Sequence, residues 1–220
     1  MKILNLYACL GGNRYKWDEV TDVEVTAVEW DEELAKLYQE RFPNDKVIVA
    51  DAHQYLLDHY KEFDFIWSSP PCPSHSRARF WNSSNYDNNT EAIYPDMQLY
   101  QEIIFLEHYF QGKYVVENVI PYYEPLIPAK KRDRHLYWTN FLIPNNLNGR
   151  VKHFGDSKNG NTESLDSWSN FHDFDFNKYN GNQLVLKIAR NLVDYEAGKT
   201  ILETACGIIR QNNLNQQRLF

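Results

Sequence analysis

The chain has 220 residues, 43% of them hydrophobic and 15% aromatic, with a formal net charge of −7. These values suit one well-packed domain and exclude a disordered chain. No apolar run reaches the roughly 18 residues that a membrane-spanning helix requires, and three scattered cysteines (Cys9, Cys72, Cys206) argue against a disulfide framework and for a reducing, cytoplasmic setting.

The first residues are short and apolar and read as a strand, not a secretory signal. Ile3–Ala8 is a buried strand, followed by Leu10-Gly-Gly-Asn and a helix from Arg14. Val23–Val28 is a second strand. Asp31 caps a helix running to Phe42, with Leu34, Leu37 and Tyr38 on one face and Pro43 past its end. Val47–Ala50 is the third strand, His53–Tyr60 a helix with Tyr55, Leu56 and Tyr60 inward, and Phe63–Ser68 the fourth strand. Residues 82–92, rich in Asn and Ser, read as a loop. Met97–Phe110 carries Leu99, Ile103, Leu106 and Phe110 at helical spacing, and Lys113–Glu117 is the fifth strand. Asn145–Asn182 is rich in Asn, Asp and Gly; Leu184–Gly207 reads as helical with an interruption near Gly198.

Repeated βα units predict the α/β class, with a doubly wound, mostly parallel sheet. The expected organisation is a catalytic and cofactor-binding part over 1–144, a short variable segment over 145–182 and a C-terminal helical part over 183–220 that completes the same domain. Charge is uneven along this plan. Residues 1–60 hold twelve acids against six bases, whereas 128–153 hold six bases (Lys130, Lys131, Arg132, Arg134, Arg150, Lys152) against Asp133. One basic face on an acidic protein can meet nucleic acid, although on charge alone a solvated run is the favoured reading.

Chemistry gathers at the expected strand ends. Phe65-Ile-Trp-Ser-Ser-Pro-Pro-Cys places the Cys72 sulfur on a stiff Pro-rich loop, and Tyr114-Val-Val ends in Glu117-Asn118. In open α/β sheets ligands bind at the carboxyl ends of strands, so a thiol and a carboxylate there can converge on one planar substrate. Gly11 and Gly12 allow a tight turn and close backbone approach. Glu29, about 20 residues on, stands where nucleotide-binding sheets place a ribose acceptor, and Asp51 ends the third strand where it could accept from an adenine amine. Each acid alone is better read as a helix cap or surface charge; the three strand ends together point to a nucleoside cofactor.

Taken together these residues resemble the cytosine-5 DNA methyltransferase family over roughly residues 2–142. Asn5-Leu-Tyr-Ala-Cys-Leu-Gly-Gly is similar to the family's Asp-Leu-Phe-Ala-Gly-x-Gly-Gly, and Val28-Glu-Trp-Asp and Ala50-Asp-Ala-His to its second and third motifs. Ser69-Pro-Pro-Cys resembles the nucleophile motif and Glu117-Asn-Val the motif named for those residues. Lys130-Lys-Arg-Asp-Arg resembles the Gln-x-Arg-x-Arg motif. The resemblance implies a class I, Rossmann-like S-adenosylmethionine-dependent fold. It implies that Tyr7, Ala8, Leu10, Gly11, Gly12, Glu29, Trp30, Asp51, Ala52, Ser69 and Pro70 hold S-adenosylmethionine. Cys72, Glu117, Asn118, Arg132 and Arg134 are then catalytic, acting on a cytosine flipped out of the DNA stack. Ser76, Arg77, Arg79, Lys130, Lys131, Arg150 and Lys152 are expected at DNA. No metal is expected: Cys72 and His75 form one isolated pair, short of the four ligands of a closed zinc site.

The chain departs from the family pattern in four places. Cys9 replaces a glycine and Lys130 a glutamine, no large recognition domain follows the arginine motif, and no Gly-Asn-Ser-Val helix closes the sequence. Arg150, Lys152, His153, Trp168, Phe171 and Tyr179 suit phosphate contacts or stacking, and equally a loop packed on the core. A second subunit is one expected source of the missing parts. Gln216-Gln-Arg-Leu-Phe220 resembles the peptides by which bacterial replication proteins dock on a sliding clamp. The alternative readings are an RNA (tRNA) methyltransferase of the same fold, or a module of that fold that binds DNA or a partner without turnover. Restriction protection, anti-restriction and regulation are equally compatible roles.

Overall fold

The computed structural model of the chain describes residues 1–84, 91–150 and 164–208. Five strands, β1 (Lys2–Leu6), β2 (Glu24–Glu29), β3 (Lys46–Val49), β4 (Phe65–Ser68) and β5 (Lys113–Val119), pair in parallel. A hairpin of β6 (Lys130–Arg132) and β7 (His135–Thr139) completes the sheet, with β7 antiparallel to β5, so the order is β3-β2-β1-β4-β5-β7-β6. Successive side chains on a strand face opposite ways, so the apolar runs feed two cores. Leu4, Leu6, Ile66, Tyr114 and Val116 point to one side, and Ile3, Phe65, Trp67 and Val115 to the other.

Helices α2 (Ala52–His59) and α4 (Gln98–Tyr109) cover the first side, through Leu56 and through Leu99, Ile103 and Leu106. The second side carries α1 (Glu32–Arg41), whose Tyr38 packs on Ala27, and α7 (Tyr195–Ala205), whose Ile201 and Leu202 pack beneath Trp67 and Val115. The remaining helices are α3 (Arg77–Ser84), α5 (Leu165–His172) and α6 (Val185–Asn191). Chain connections reverse direction between β1 and β4, the switch point at which such sheets open a crevice. This is the doubly wound, mostly parallel, Rossmann-like sheet that the alternation of strands and helices predicts. Among the described residues no helix is long and apolar enough to cross a membrane.

Four local expectations change. No α-helix begins at Arg14; the segment is a series of turns with one short 3-10 turn at Trp17–Glu19. Tertiary contacts hold it there, because Trp17 is buried in the second core and the Arg14 guanidinium is held by two 2.9 Å bonds to buried Asp45. The C-terminal helical stretch breaks at Leu192–Asp194 and not at Gly198, because Asp194 accepts from the N–H groups of Glu196 and Ala197 and starts a new helix. Residues 82–84 belong to α3, while 85–90 lie outside the described residues. Within the Asn/Asp-rich stretch, Ser164 caps α5, which packs with Phe176 and Tyr179 on Leu34 and Leu37 of α1.

Candidate active site

The carboxyl ends of the parallel strands border one cavity of about 630 Å³, a size that suits a nucleoside-sized ligand. β1 leads into it through Tyr7 and Cys9, which adopt left-handed backbone conformations (φ 56° and 48°), followed by Gly11 at φ 67°. Side chains other than glycine pay strain in that region, which accounts for a glycine at the Cys9 position in the motif this loop resembles. Tyr7, Ala8, Cys9 and Gly12 line the cavity. Leu10 and Gly11 do not: Leu10 is fully buried among α1, α5 and α6 residues, and a Cβ on Gly11 would lie 2.4 Å from the Phe42 ring. The thiol of Cys9 is pushed up by burial and by Glu29, so it stays protonated and chemically quiet.

Glu29 ends β2 with its carboxylate held by three backbone N–H groups, those of Cys9 (2.8 Å), Trp30 (2.9 Å) and Asp31 (3.0 Å). Burial raises its pKa against the lowering effect of these bonds. Trp30 is 77% exposed and borders the cavity, so one face of its indole is available for stacking. Asp51 caps α2 by accepting from the Gln54 N–H at 2.9 Å and also lines the cavity, as do Ala52, Ser69 and Pro70. Ser69 is oriented by a 2.9 Å bond from the Trp67 indole N–H. Two carboxylate acceptors, an open indole face and a glycine-lined turn fit a nucleoside such as that of S-adenosylmethionine. Gly12 keeps that wall thin, since a Cβ there would meet the Val193 carbonyl at 2.4 Å.

Cys72 and Glu117 reach the same cavity from β4 and β5. The Cys72 carbonyl accepts from the N–H groups of His75 (3.0 Å) and Ser76 (3.1 Å), which curls the loop into the start of α3. Burial, and then the charge of Glu117, raise the Cys72 thiol above its ordinary range. Asn118 is 2% exposed and donates to the Pro70 carbonyl at 2.9 Å. The hairpin brings Arg134 to the cavity, whereas Arg132 turns away and donates to the carbonyls of Pro144 (2.5 Å) and Ile143 (3.1 Å).

The other residues expected at DNA fall into two groups. Ser76 bridges to Pro121, Arg77 donates to the Pro121 carbonyl at 3.0 Å and Arg79 approaches the Glu91 carbonyl, all beside the Cys72 loop; Lys131 is exposed on β6. Lys130 instead donates to the Thr139 and Phe141 carbonyls, and burial lowers its pKa. Arg150 pairs with Asp194 at 2.9 Å and lies over the Tyr195 ring at 3.6 Å. Trp168 and Tyr179 are buried against α1, and the Tyr179 hydroxyl donates to Asp31 at 2.9 Å, so this part of the variable segment packs on the core. Lys152, His153 and the Gln216–Phe220 tail lie outside the described residues. His75 directs Nδ1 to the Tyr123 hydroxyl (2.5 Å), and among the described residues no three metal-type side chains converge.

Three features were missed in the sequence. Glu102, wholly buried behind the cavity, accepts from the hydroxyls of Tyr7 and Ser68 (2.5 Å each) and lies 3.1 Å from Nδ1 of His53. An acid on the apolar stripe of α4 between Leu99 and Leu106 is the signal that marks it. His135 lines the cavity 3.6 Å from Glu117. The stretch from Arg190 to Val193, which ends α6 and leads toward α7, also lines the cavity and packs directly on Gly12.

The family model described as C-5 cytosine-specific DNA methylase matches residues 1–119. The chain belongs to that family. The match ends with β5, so it takes in the loop of Cys72 and the Glu117-Asn118-Val119 strand end. No curated protein matches the chain. Among solved structures the chain is similar to DNMT2 of Spodoptera frugiperda, at 24% identity and a TM-score of 0.37, over 54% of this chain and 35% of that one. It is also similar to the methyltransferase EhMeth of Entamoeba histolytica, at 14% identity and a TM-score of 0.36, over 54% of this chain and 38% of that one. The chain thus spans little more than a third of the length of these two proteins.

Proposed function

We propose that this protein transfers a methyl group from S-adenosylmethionine to C5 of cytosine in DNA through a covalent adduct with Cys72. The observation that carries this reading is convergence: Cys72, Glu117 and Arg134 border the same cavity as Glu29 and Trp30. One cavity thereby offers a sulfur nucleophile, an acid and a cation beside a nucleoside-type site. Glu29 holds ribose hydroxyls, Trp30 covers the purine face and Asp51 accepts from its amine. The bound cofactor supplies an electrophilic methyl group.

A base inside a duplex is out of reach of the thiolate, so the cytosine enters the cavity flipped out. Cys72 as thiolate forms a bond to C6, and the displaced ring electrons move toward N3. Glu117 protonates N3 and Arg134 offsets charge at the base carbonyl, which leaves C5 nucleophilic. After methylation C5 loses its proton to water, the C6–S bond breaks, and the thiolate and the N3 proton are recovered. Arg77, Arg79 and Lys131, on the same side as the Cys72 loop and the hairpin, suit phosphate contacts.

The test is base-resolution mapping of 5-methylcytosine on a plasmid from a methylation-free bacterial host that expresses the chain, with Cys72→Ala as control. Methylation at a defined sequence, absent in the control, is the expected result. Methylation of transfer RNA with none on the plasmid would replace DNA by RNA as substrate. Methylation that persists in Cys72→Ala would remove the covalent step.

A further inference from the structure

His135 opens β7 directly after Arg134, and none of the steps above uses it. Its Nε2 lies 3.6 Å from Oε1 of Glu117. Strand pairing produces this approach. On the paired strands β5 and β7, Val119 faces His135 and Glu117 faces Tyr137, so Glu117 and His135 are diagonal neighbours, whose side chains are within reach of each other. The side chain of Glu117 is 8% exposed and that of His135 is 28% exposed, so the pair leads from the buried carboxylate toward the solvent side of the cavity. Catalytic contacts are commonly longer before substrate binds.

Resting on the reading that Glu117 protonates N3, we propose that His135 is a positioning residue acting through Glu117: it holds the proton that the carboxyl group delivers to the cytosine ring. In the charged pair the imidazolium faces a carboxylate. As the Cys72 sulfur bonds to C6, one proton leaves Nε2 for the carboxylate and one leaves the carboxyl group for N3. The imidazole becomes neutral, the carboxylate is restored and the ring nitrogen is protonated. When the C6–S bond breaks, the N3 proton returns along the same route and the pair is reset.

The neighbouring charges are of two kinds. Arg134 adjoins His135, Arg132 faces it from β6, and Arg190 borders a second cavity that His135 also lines. Guanidinium groups keep their charge throughout the accessible pH range, so they shift an inflection without creating one. The titrating neighbours are Glu117, Cys72 behind it, Asp133, Asp194 and His172 along the second cavity, and Tyr137 at 6.4 Å ring to ring.

The test is the pH profile of kcat/KM on an unmethylated duplex carrying the mapped target cytosine, for wild type and His135→Gln. Turnover needs the Cys72 thiolate together with a protonated pair. Wild type therefore rises with pH until the pair starts to lose its proton, and then levels off as lost pair protons cancel gained thiolate. In His135→Gln only Glu117 carries the proton, so the break moves to lower pH and the rate on the plateau falls about tenfold or more. A lower rate with the break unmoved would assign His135 a structural role and overturn the proposal.

Alkylation of Cys72 by iodoacetamide, followed by peptide mass spectrometry, gives a readout that needs no turnover. Charging His135 beside Glu117 adds an inflection to the wild-type alkylation profile below that of the thiol itself, and His135→Gln removes it. Persistence of that inflection overturns the proposal. His135→Asn replaces the glutamine variant if the latter fails to fold. Wild-type protein that shows the alkylation inflection but methylates no nucleic acid defeats the proposed function alone, leaving the His135–Glu117 pair in place.

Discussion

Asn118 donates from Nδ2 to the carbonyl of Pro70 across 2.9 Å while its Oδ1 accepts from the Val119 N–H. One buried amide thereby ties the loop of Cys72 to the strand end of Glu117 and sets the spacing between thiol and carboxyl group. Asn118→Ala leaves the Pro70 carbonyl without its donor, a loss of about 1–3 kcal/mol. Expressed in the transition state, that lowers kcat/KM roughly 10- to 100-fold. Asn118→Asp, which keeps the acceptor and loses the donor, is expected to match it. Steady-state methylation of the two variants beside thermal melts checks this; wild-type kcat/KM in Asn118→Ala would show that the tie does not set the geometry.

Glu117 adds its charge to burial in raising the Cys72 thiol. A raised thiol pKa means less thiolate at neutral pH, and removing the negative neighbour must lower that pKa. Glu117→Gln is therefore expected to alkylate faster than wild type at Cys72 at pH 8 while losing methylation about 100-fold or more. Peptide-resolved alkylation rates separate Cys72 from the exposed Cys206. A slower rate in Glu117→Gln would mean that the carboxylate does not act on the sulfur.

Asp31 caps α1 through the N–H groups of Glu33 and Leu34, and also accepts from the Tyr179 hydroxyl and the Gln183 amide at 2.9 Å each. These bonds depress its pKa despite the raising effect of burial. A carboxyl group depressed on folding adds stability that is fully present above its unfolded pKa and is lost as pH falls through the folded value. Asp31→Ala is expected to cost about 1–2 kcal/mol near pH 7, with the gap to wild type closing in acid. Urea melts at pH 7 and pH 3 check it; a gap that does not shrink would assign the effect to shape instead of charge.

Gly198 lies inside α7, where a Cβ would sit 2.2 Å from the Asn13 carbonyl oxygen and 2.8 Å from its Cα. Both are backbone atoms, so neither can swing aside. Gly198→Ala is expected to lower stability by about 3 kcal/mol, at the upper end for overpacking, although alanine is the better helix former. A denaturant melt that equals or exceeds wild type would mean that α7 can slide away from the Asn13 turn.

Much of the catalytic framework was legible locally. Asp31 announced a helix start by its own cap chemistry, and the apolar runs of Leu4, Ile66 and Val115 announced buried strands. Cys72 after two prolines and Glu117-Asn118 after an apolar run stood at strand ends, so the sheet order alone brings them to one edge. Lys130-Lys-Arg concealed a strand because β6 is a sheet edge with no apolar period of its own. The Arg14 segment and the Gly198 position misled because their conformations answer to Asp45 and Asn13, residues far away in sequence or paired only through packing.

What the sequence by itself determined is the alternation of strand and helix and the identity of the groups placed at the strand ends, since periodicity, caps and turn residues act over a few neighbouring positions. Only the tertiary structure decided which cations reach the cavity and which hold the chain together. Arg134 and Arg132 sit two residues apart on one hairpin, yet one borders the cavity and the other grips the Pro144 carbonyl. Tertiary structure alone also set Glu102 behind Tyr7 and His135 beside Glu117. Such pairings depend on the register between strands and on what lies across the sheet, which no local pattern encodes.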